Sequence, residues 1–260
     1  LGTDPHSEWL KFIISLAAKH DRKVIIRLDG LNPLLMITHP AYRSVYESMV
    51  AHKETVILIY PQEGVHTLLG NTTLMGLWLE GAIGSWGISM DSEALSRAGF
   101  VIPGMFAKAS SKNTGAAQSA SVYRAWLMTG ASTGAAAYFF DNGDELWAGT
   151  QTRFWGQSIE PTLLELVQKG YIARQDLVKR NAPVAYRVKP AVTWLEFEEN
   201  LADLDAVFHE GRMMQAVYGL ELPGQIPEWV PNSGRYYFIP VLSPYTSDDV
   251  LFSFKEVMMP

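Results

Sequence analysis

Hydrophobic residues along the chain follow two different spacings. Short apolar runs of the kind found in buried strands cover 23–28, 56–60, 85–90 and 136–140. Between these runs, apolar residues recur every three or four positions, which predicts helices over 40–51, 71–82 and 117–128. Strands that alternate with helices in this way favour a parallel sheet.

A first helix is predicted to begin at Asp4-Pro5, with Asp as the N-cap and Pro at the first helical position. Its apolar positions at helical spacing are Trp9, Phe12, Ile13, Leu16 and Ala17. Two more helices are predicted over 161–169, where Gly170 follows, and 174–180.

The pattern changes after residue 182. A strand is predicted over 184–188, an acidic helix over 194–210 and an aromatic, strand-like run over 234–242. We therefore expect residues 1–182 to form a (β/α) barrel domain and residues 183–260 to form a β-rich segment, with one acidic helix, packed on that barrel.

The simplest parallel architecture for this order is a (β/α)8 TIM-type barrel. The first 182 residues show four or five strands where such a barrel needs eight. Either some strands are disguised in the sequence, or the first one or two precede Leu1. The small residues of 130–137, including Gly130 and Gly134, are expected to allow close backbone packing, since they match no phosphate-binding fingerprint.

Three of the predicted strands each end in a carboxylate: Asp29, Asp91 and Asp141. The carboxyl ends of parallel strands converge on one face of a barrel or sheet, and residues there commonly carry chemistry. A carboxylate-lined pocket is the predicted site.

Composition excludes several classes of function. The net charge of −6 and the absence of a Lys or Arg run argue against a nucleic-acid partner. Without cysteine there is no disulfide framework, thiolate nucleophile or Cys-based zinc site. The six histidines show no zinc-binding spacing, and no apolar run approaches the roughly 20 residues of a membrane span. We expect no metal, cofactor or membrane segment.

An ordered set of motifs resembles a known family. It comprises Leu77-Trp-Leu-Glu-Gly81, Trp86-Gly-Ile88, Gly130-Ala131, Gly134-Ala135, Tyr138-Phe-Phe-Asp141, Trp147, Ile159-Glu-Pro161 and Pro231-Asn-Ser-Gly-Arg-Tyr-Tyr-Phe-Ile-Pro-Val-Leu242. In order and spacing, this set resembles the catalytic module of glycoside hydrolase family 98 over most of the chain.

The resemblance implies a (β/α)8 barrel with a β-rich companion. It also implies an endo-β-galactosidase that cleaves blood-group-type glycans with inversion at the anomeric carbon. An extracellular bacterial enzyme is implied, at the cell surface or in the periplasm, although no signal peptide is visible in the sequence.

The resemblance also implies a general base shared between two acidic side chains on late strands, about fifty residues apart. Asp91 and Asp141 are fifty positions apart and are assigned this role; Glu93 is the alternative match for Asp91. The chain departs from the family at Asp141, where the family has Glu. The family's general acid lies on a strand before the helix that begins near Asp4, and the chain offers no equivalent.

Further residues are expected to contact substrate. Asp29 is predicted to hydrogen-bond a sugar hydroxyl, with a turn-stabilising role as the alternative. Trp86, Tyr138, Trp147 and Trp155 are predicted to stack on or border the sugar, with core packing as the alternative.

Glu80, in an apolar helix, is expected to be structural. The predicted function is cofactor-free hydrolysis of a galactose-containing oligosaccharide or glycoconjugate. The alternatives are a non-catalytic glycan-binding relative and, behind it, an unrelated barrel enzyme such as an aldolase.

Overall fold

The computed structural model describes residues 5–28, 33–60, 67–90, 120–140, 155–182, 184–191, 193–207 and 239–258. Its first half alternates helices and strands in the order α1 (Pro5–Lys19), β1 (Val24–Arg27), α2 (Pro33–Thr38), α3 (Arg43–Ala51), β2 (Val56–Tyr60), α4 (Thr67–Leu79), β3 (Ser85–Met90), α5 (Ala120–Ser132) and β4 (Ala137–Phe140). The predicted strands at 56–60 and 85–90 are confirmed at both ends. The short helix α2 was not predicted.

The second half continues with a π-helical turn over Trp155–Ile159, then α6 (Glu160–Lys169), α7 (Gln175–Asn181), β5 (Val184–Arg187), α8 (Trp194–Val207), β6 (Val241–Leu242), α9 (Asp248–Leu251) and β7 (Glu256–Met258). Helix α6 ends at Gly170, whose φ of 63° lies in the left-handed region that glycine adopts without steric cost. Strand β7 and helix α9 were not predicted.

Strands β1 to β4 form a parallel sheet in the order β1-β2-β3-β4. Each strand pairs with the next one along the chain, and helices pack against one face of the sheet. The sheet is curled and amounts to half of a barrel. Closure into eight strands stays a prediction.

A second parallel sheet has the order β6-β5-β7. Its strands β5, β6 and β7 lie within residues 184–258. The boundary at residue 182 stays a prediction. Tyr186 pairs with Val241 on one side of β5, and Val184 pairs with Glu256 on the other.

Helix α4 lies between the two sheets. It contacts β2 and β3 on one side and β6 on the other, and its side chains from Leu69 to Leu77 are buried all round. Its buried residues include the polar Asn71, Thr72 and Thr73 beside the apolar ones, so burial on every side follows from the enclosed position of the helix. At Gly76 an added Cβ would stand 1.9 Å from the Val241 carbonyl oxygen, so this glycine sets how closely β6 approaches.

The residue after α4, Glu80, joins the helix to the C-terminal segment. Its carboxylate accepts hydrogen bonds from the Tyr46 hydroxyl (3.0 Å), the Ser243 backbone N–H (3.0 Å) and the Thr246 hydroxyl (2.5 Å). The Ser243 hydroxyl also donates to the Tyr46 oxygen, at 3.1 Å. Burial is the main reason why the pKa of Glu80 is raised, and the hydrogen bonds oppose that rise. The expected structural role of Glu80 agrees with this network.

Helix α1 is confirmed, and part of its apolar surface is exposed. Ser7, Leu10 and Ile14 are buried against the protein, whereas Trp9, Phe12 and Leu16 are exposed. The helix carries two apolar stripes, and spacing alone does not tell which of them packs inward. The Ser7 hydroxyl donates to the Ala41 carbonyl at 3.1 Å, and this bond holds the stripe of Ser7 against the protein.

Replacement of Glu80 tests the network. Glu80→Ala leaves two hydroxyls and one N–H without their acceptor, and each buried orphan costs about 1–3 kcal/mol, so urea denaturation should show a clear loss of stability. Glu47→Ala, which removes only an exposed ion pair with Arg43, should change stability far less. Equal effects of the two variants would contradict a structural role for the network.

The raised pKa of Glu80 also predicts a pH dependence. Because the folded-state pKa lies above the ordinary value of 4.5, the folded chain binds the proton more tightly than the unfolded chain does. Stability from this group is therefore complete below 4.5 and is lost as the pH rises through the raised pKa. In denaturation curves, the wild type should lose stability relative to Glu80→Gln as the pH rises above 4.5. The same pH dependence of stability in both proteins would contradict this.

Gly76→Ala tests the close approach of β6. The substitution favours the helix by about 0.8–1.0 kcal/mol, but its Cβ collides with the backbone of Val241. We expect a net destabilisation of about 1–3 kcal/mol, as for other overpacked sites, measured by urea denaturation. The control is Gly156→Ala, where the new Cβ meets open space. A stabilised Gly76→Ala protein would show that the contact is unimportant.

Candidate functional site

The two faces of the four-stranded sheet have different surroundings. Successive side chains of a strand point to opposite faces, and register partners in neighbouring strands share a face. Tyr138 faces the helices, because its hydroxyl donates to the carbonyl of Ala135 at 2.9 Å and lies 3.5 Å from that of Leu127 in α5. Its register partner Ile88 faces the same way, towards Gly130 of α5.

The opposite face, which we call the concave face, is therefore formed by the alternate residues. One row across the sheet runs through Arg27, Ile59, Gly87 and Ala137, which are consecutive register partners. The next concave row towards the carboxyl ends pairs Ser89 with Phe139.

The carboxyl ends of β3 and β4 lie side by side. Met90 and Phe140 are register partners and the last residues of their strands. In the sequence, Asp91 follows the first and Asp141 follows the second. At the other edge of the sheet, after β1, the Leu28 N–H donates to the Ile59 carbonyl at 3.0 Å. Asp29 follows Leu28 in the sequence.

Arg27 is the charged residue of this face. The sequences of β1 to β4 contain no other charged side chain. The Arg27 guanidinium carbon lies 4.6 Å from the centre of the Phe139 ring, which is within the range of a cation–π interaction. Phe139 stays 38% exposed on this face.

Ser89 adds a polar group to the concave face. Its side chain is buried, and its Oγ has no hydrogen-bond partner among the residues that the structure describes. A buried hydroxyl without a partner costs free energy, and such groups are more common where a ligand or water binds. Sequence reasoning missed Arg27, Ser89 and Phe139. Each stands two positions before a singled-out aspartate, and period-two alternation was the signal that could have found them.

Two predicted sugar contacts lie on the other side of the sheet. Trp86 is 0% exposed and belongs to the hydrophobic core. Tyr138 packs against α5, and burial raises the pKa of its hydroxyl. These positions favour the packing alternative, because helices cover the face from which both rings project.

Trp155 is partly buried at the start of the π-helical turn and packs against the core. Its ring meets Phe140 edge to face, with ring centres 5.7 Å apart. Trp155 thus lies against the last residue of β4. The remaining predicted site residues, Asp29, Asp91, Glu93, Asp141 and Trp147, lie outside the described residues.

Within the described ranges, no cluster of three or more His, Asp or Glu side chains is placed to hold a metal ion. Nor does any helix in those ranges combine the length and apolarity needed to cross a membrane.

The fold has solved counterparts among glycoside hydrolases. Crystal structures of the catalytic module of a family 98 glycoside hydrolase from Streptococcus pneumoniae TIGR4 match the whole chain. They were solved with the H-disaccharide blood group antigen (TM-score 0.65, 11% identity), with the LewisY pentasaccharide blood group antigen (0.67, 12%) and in the native form (0.66, 12%). At this identity, the match shows a distant fold relationship.

The chain spans 44% of the length of these structures. No model of a known protein family matches the chain, and no curated protein matches it either. The chain is thus similar in fold to part of a glycan-binding catalytic module.

Trp86→Phe tests the core packing of this ring. The Trp86 Nε1 has no hydrogen-bond partner among the described residues, so the substitution removes volume alone. We expect the free energy of unfolding in urea to fall by about 1–3 kcal/mol, as large-to-small core changes do. Unchanged stability would contradict core packing.

Proposed function

We propose that this chain is the catalytic part of an inverting glycoside hydrolase that acts on galactose-containing, blood-group-type glycans. The observation that carries the proposal is the register of β3 with β4. Met90 pairs with Phe140 at the ends of neighbouring strands, and Asp91 and Asp141 are the next residues in the sequence.

The proposed roles follow from the chemistry of inversion. A general base removes a proton from water as its oxygen bonds to the anomeric carbon, while a general acid protonates the departing oxygen as the glycosidic C–O bond breaks. In inverting enzymes the acid and base stand about 6.5–9.5 Å apart. Neighbouring strands are only about 4.8 Å apart. We therefore propose that Asp91 and Asp141 together bind and deprotonate one water molecule, and that they do not act as an acid and base pair.

The concave face supports this arrangement. Arg27, Ser89 and Phe139 share that face, and Asp29, Asp91 and Asp141 each come two positions later in the sequence. Alternation in strands has a period of two residues. We propose that the three carboxylates line one pocket, with Asp29 binding a sugar hydroxyl.

The remaining proposed contacts border that pocket. Glu93 is the alternative to Asp91. Trp147 and Trp155 are proposed to border the sugar, and the contact of Trp155 with Phe140 supports its part. The reaction needs no cofactor, and the partner is an oligosaccharide or glycoconjugate outside a bacterial cell.

A second candidate is a non-catalytic glycan-binding protein with the same fold. It is favoured by Asp141, which is one methylene shorter than the Glu of the family, and by the lack of an identified general acid in this chain. Small displacements of a catalytic group can cost about 100-fold in rate. Such a protein would bind the same glycans without cleaving them.

The test is incubation with blood-group A, B and H and type 2 glycans, with released sugar followed by NMR. We expect the α-anomer to form first from a β-galactosidic bond, because inversion reverses the configuration. Asp91→Asn and Asp141→Asn should each lower the rate at least 100-fold, since loss of general base catalysis costs about 10²–10⁴.

The control is Asp176→Asn, which removes an exposed carboxylate paired with Arg174 on α7 and should leave the rate unchanged. Initial release of the β-anomer would contradict inversion. Glycan binding without release, from the full-length polypeptide, would instead support the non-catalytic candidate.

A further inference from the structure

The concave face has an exposed aromatic ring near its carboxyl end. Phe139 is the penultimate residue of β4 and is 38% exposed. The Arg27 guanidinium lies over the ring, with its central carbon 4.6 Å from the ring centre, and the rest of the residue's surface stays open. An aromatic ring left open on the inner side of a sheet contributes little to stability there, whereas it offers an apolar surface to a ligand.

A buried hydroxyl stands beside this ring. Ser89 is the register partner of Phe139 on β3, and neighbouring strands are about 4.8 Å apart. Ser89 is 0% exposed, and its Oγ has no hydrogen-bond partner among the residues that the structure describes. Such a hydroxyl lowers stability unless a partner supplies the missing hydrogen bond.

The residues next to this pair are small. Gly87 and Ala137 are register partners in the preceding row of the concave face. An added Cβ at Gly87 would stand 2.3 Å from the Ala137 carbonyl oxygen, so this position accepts no side chain. Space is thus left beside Ser89 and Phe139 that branched apolar residues fill in an ordinary barrel.

The side of β4 gives access to this space, because Ala137 and Phe139 are both partly open to solvent. Contact with the Ser89 hydroxyl requires neighbouring side chains to move. Exposed side chains such as that of Phe139 change rotamer within picoseconds to nanoseconds, so the barrier to such a movement is small.

We infer that Phe139 and Ser89 form a sugar subsite, in which the ring packs on the C–H face of a galactose residue and the Ser89 hydroxyl hydrogen-bonds one galactose hydroxyl. A pyranose offers both partners at once, since its C–H face is apolar and its edge carries hydroxyls. The subsite lies near the carboxyl ends of parallel strands, where α/β sheets bind their ligands. This inference rests on the proposed function and adds two substrate-binding residues to it.

Three other side chains carry buried polar atoms that have no partner in the described ranges, namely those of Asn71, Trp86 and Trp126. They lie on the helix side of the sheet. Trp86 projects from the other face of β3, and Asn71 and Trp126 belong to α4 and α5. Ser89 differs from them because it shares the concave face with an exposed ring.

The test is a titration of the 260-residue chain with the blood-group H disaccharide, followed by NMR. This sugar has no β-galactosidic bond to be cleaved, so binding is measured apart from hydrolysis. Ser89→Ala removes one hydrogen bond and should weaken affinity about three- to tenfold. Phe139→Leu removes the ring and should weaken it by a similar factor.

Two further readouts separate direct contact from a structural role. In urea, Ser89→Ala should be at least as stable as the wild type, because its hydroxyl has no partner to lose among the described residues. Analogues of the disaccharide that each lack one galactose hydroxyl complete the test. For the analogue without the bonded hydroxyl, the wild type and Ser89→Ala should bind equally, as a double-mutant cycle requires of a direct contact.

The matched controls are Phe252→Leu, at a phenylalanine that is 84% exposed in the C-terminal segment, and Ser132→Ala, at an exposed serine on α5. Neither should change affinity. Unchanged affinity in a folded Ser89→Ala or Phe139→Leu protein would overturn the subsite, and it is the result expected if Ser89 binds only water.

The outcomes separate this inference from the proposed function. If the two variants weaken binding but the wild type cleaves no glycan, the subsite stands and the proposed hydrolysis fails. If glycan is cleaved and the variants bind the disaccharide as the wild type does, the hydrolysis stands and the subsite fails. A wild type that neither binds nor cleaves overturns both.

Discussion

The hydrogen-bonded carboxyl group of Glu80 is the interaction on which the arrangement of the two sheets depends. It stands at the end of α4 and gathers donors from α3 and from the segment that follows β6. No cationic side chain contacts it in the part of the chain that the structure describes. A buried acid held by neutral donors is stable only while those donors stay in place. The network thus ties the end of α4 to the C-terminal segment, so that neither can move without the other.

Helix α4 transmits this constraint to the candidate site. Its inner side packs on β2 and β3, and its outer side is covered by β6, whose Val241 backbone approaches closely at Gly76. Because protein interiors have little free volume, α4 has no room to move between the two sheets that enclose it. The second sheet thus packs, through α4, against β2 and β3, and the β3–β4 ladder then brings Met90 beside Phe140.

The positions of helices and strands could be predicted from the sequence better than the faces of these elements that are buried. The ends of β2 and β3 were predicted correctly, because short runs such as Val56–Tyr60 are bounded by polar or small residues. The spacing of apolar residues did not tell which face of α1 packs inward, since the Ser7 hydroxyl makes a tertiary hydrogen bond that no periodicity reveals. Short elements such as β7 (Glu256–Met258) were missed because their strand character comes from pairing with β5.

The same limit applies to the candidate site. Alternation shows that Trp86 and Ser89 point to opposite faces of β3, but it does not say which face meets the helices. Sugar contact and core packing were therefore both left open for Trp86, which lies in the core. The convergence of strand ends could be predicted from the α-β order alone. The Arg27–Phe139 contact could not, since it joins residues 112 positions apart whose strands are not neighbours.

The residues of the concave face differ from those that ordinarily fill the interior of a barrel. Barrel interiors are ordinarily filled by branched apolar side chains in layers, whereas the concave face of this sheet has Gly87, Ser89 and Ala137 near its carboxyl end. An arginine fills part of the space they leave. The buried Ser89 hydroxyl on the same face has no hydrogen-bond partner among the described residues, a cost that an apolar side chain would avoid. Small and polar residues at this end of the face are therefore not what stability alone favours, whereas they leave room and a hydrogen-bonding group for a ligand.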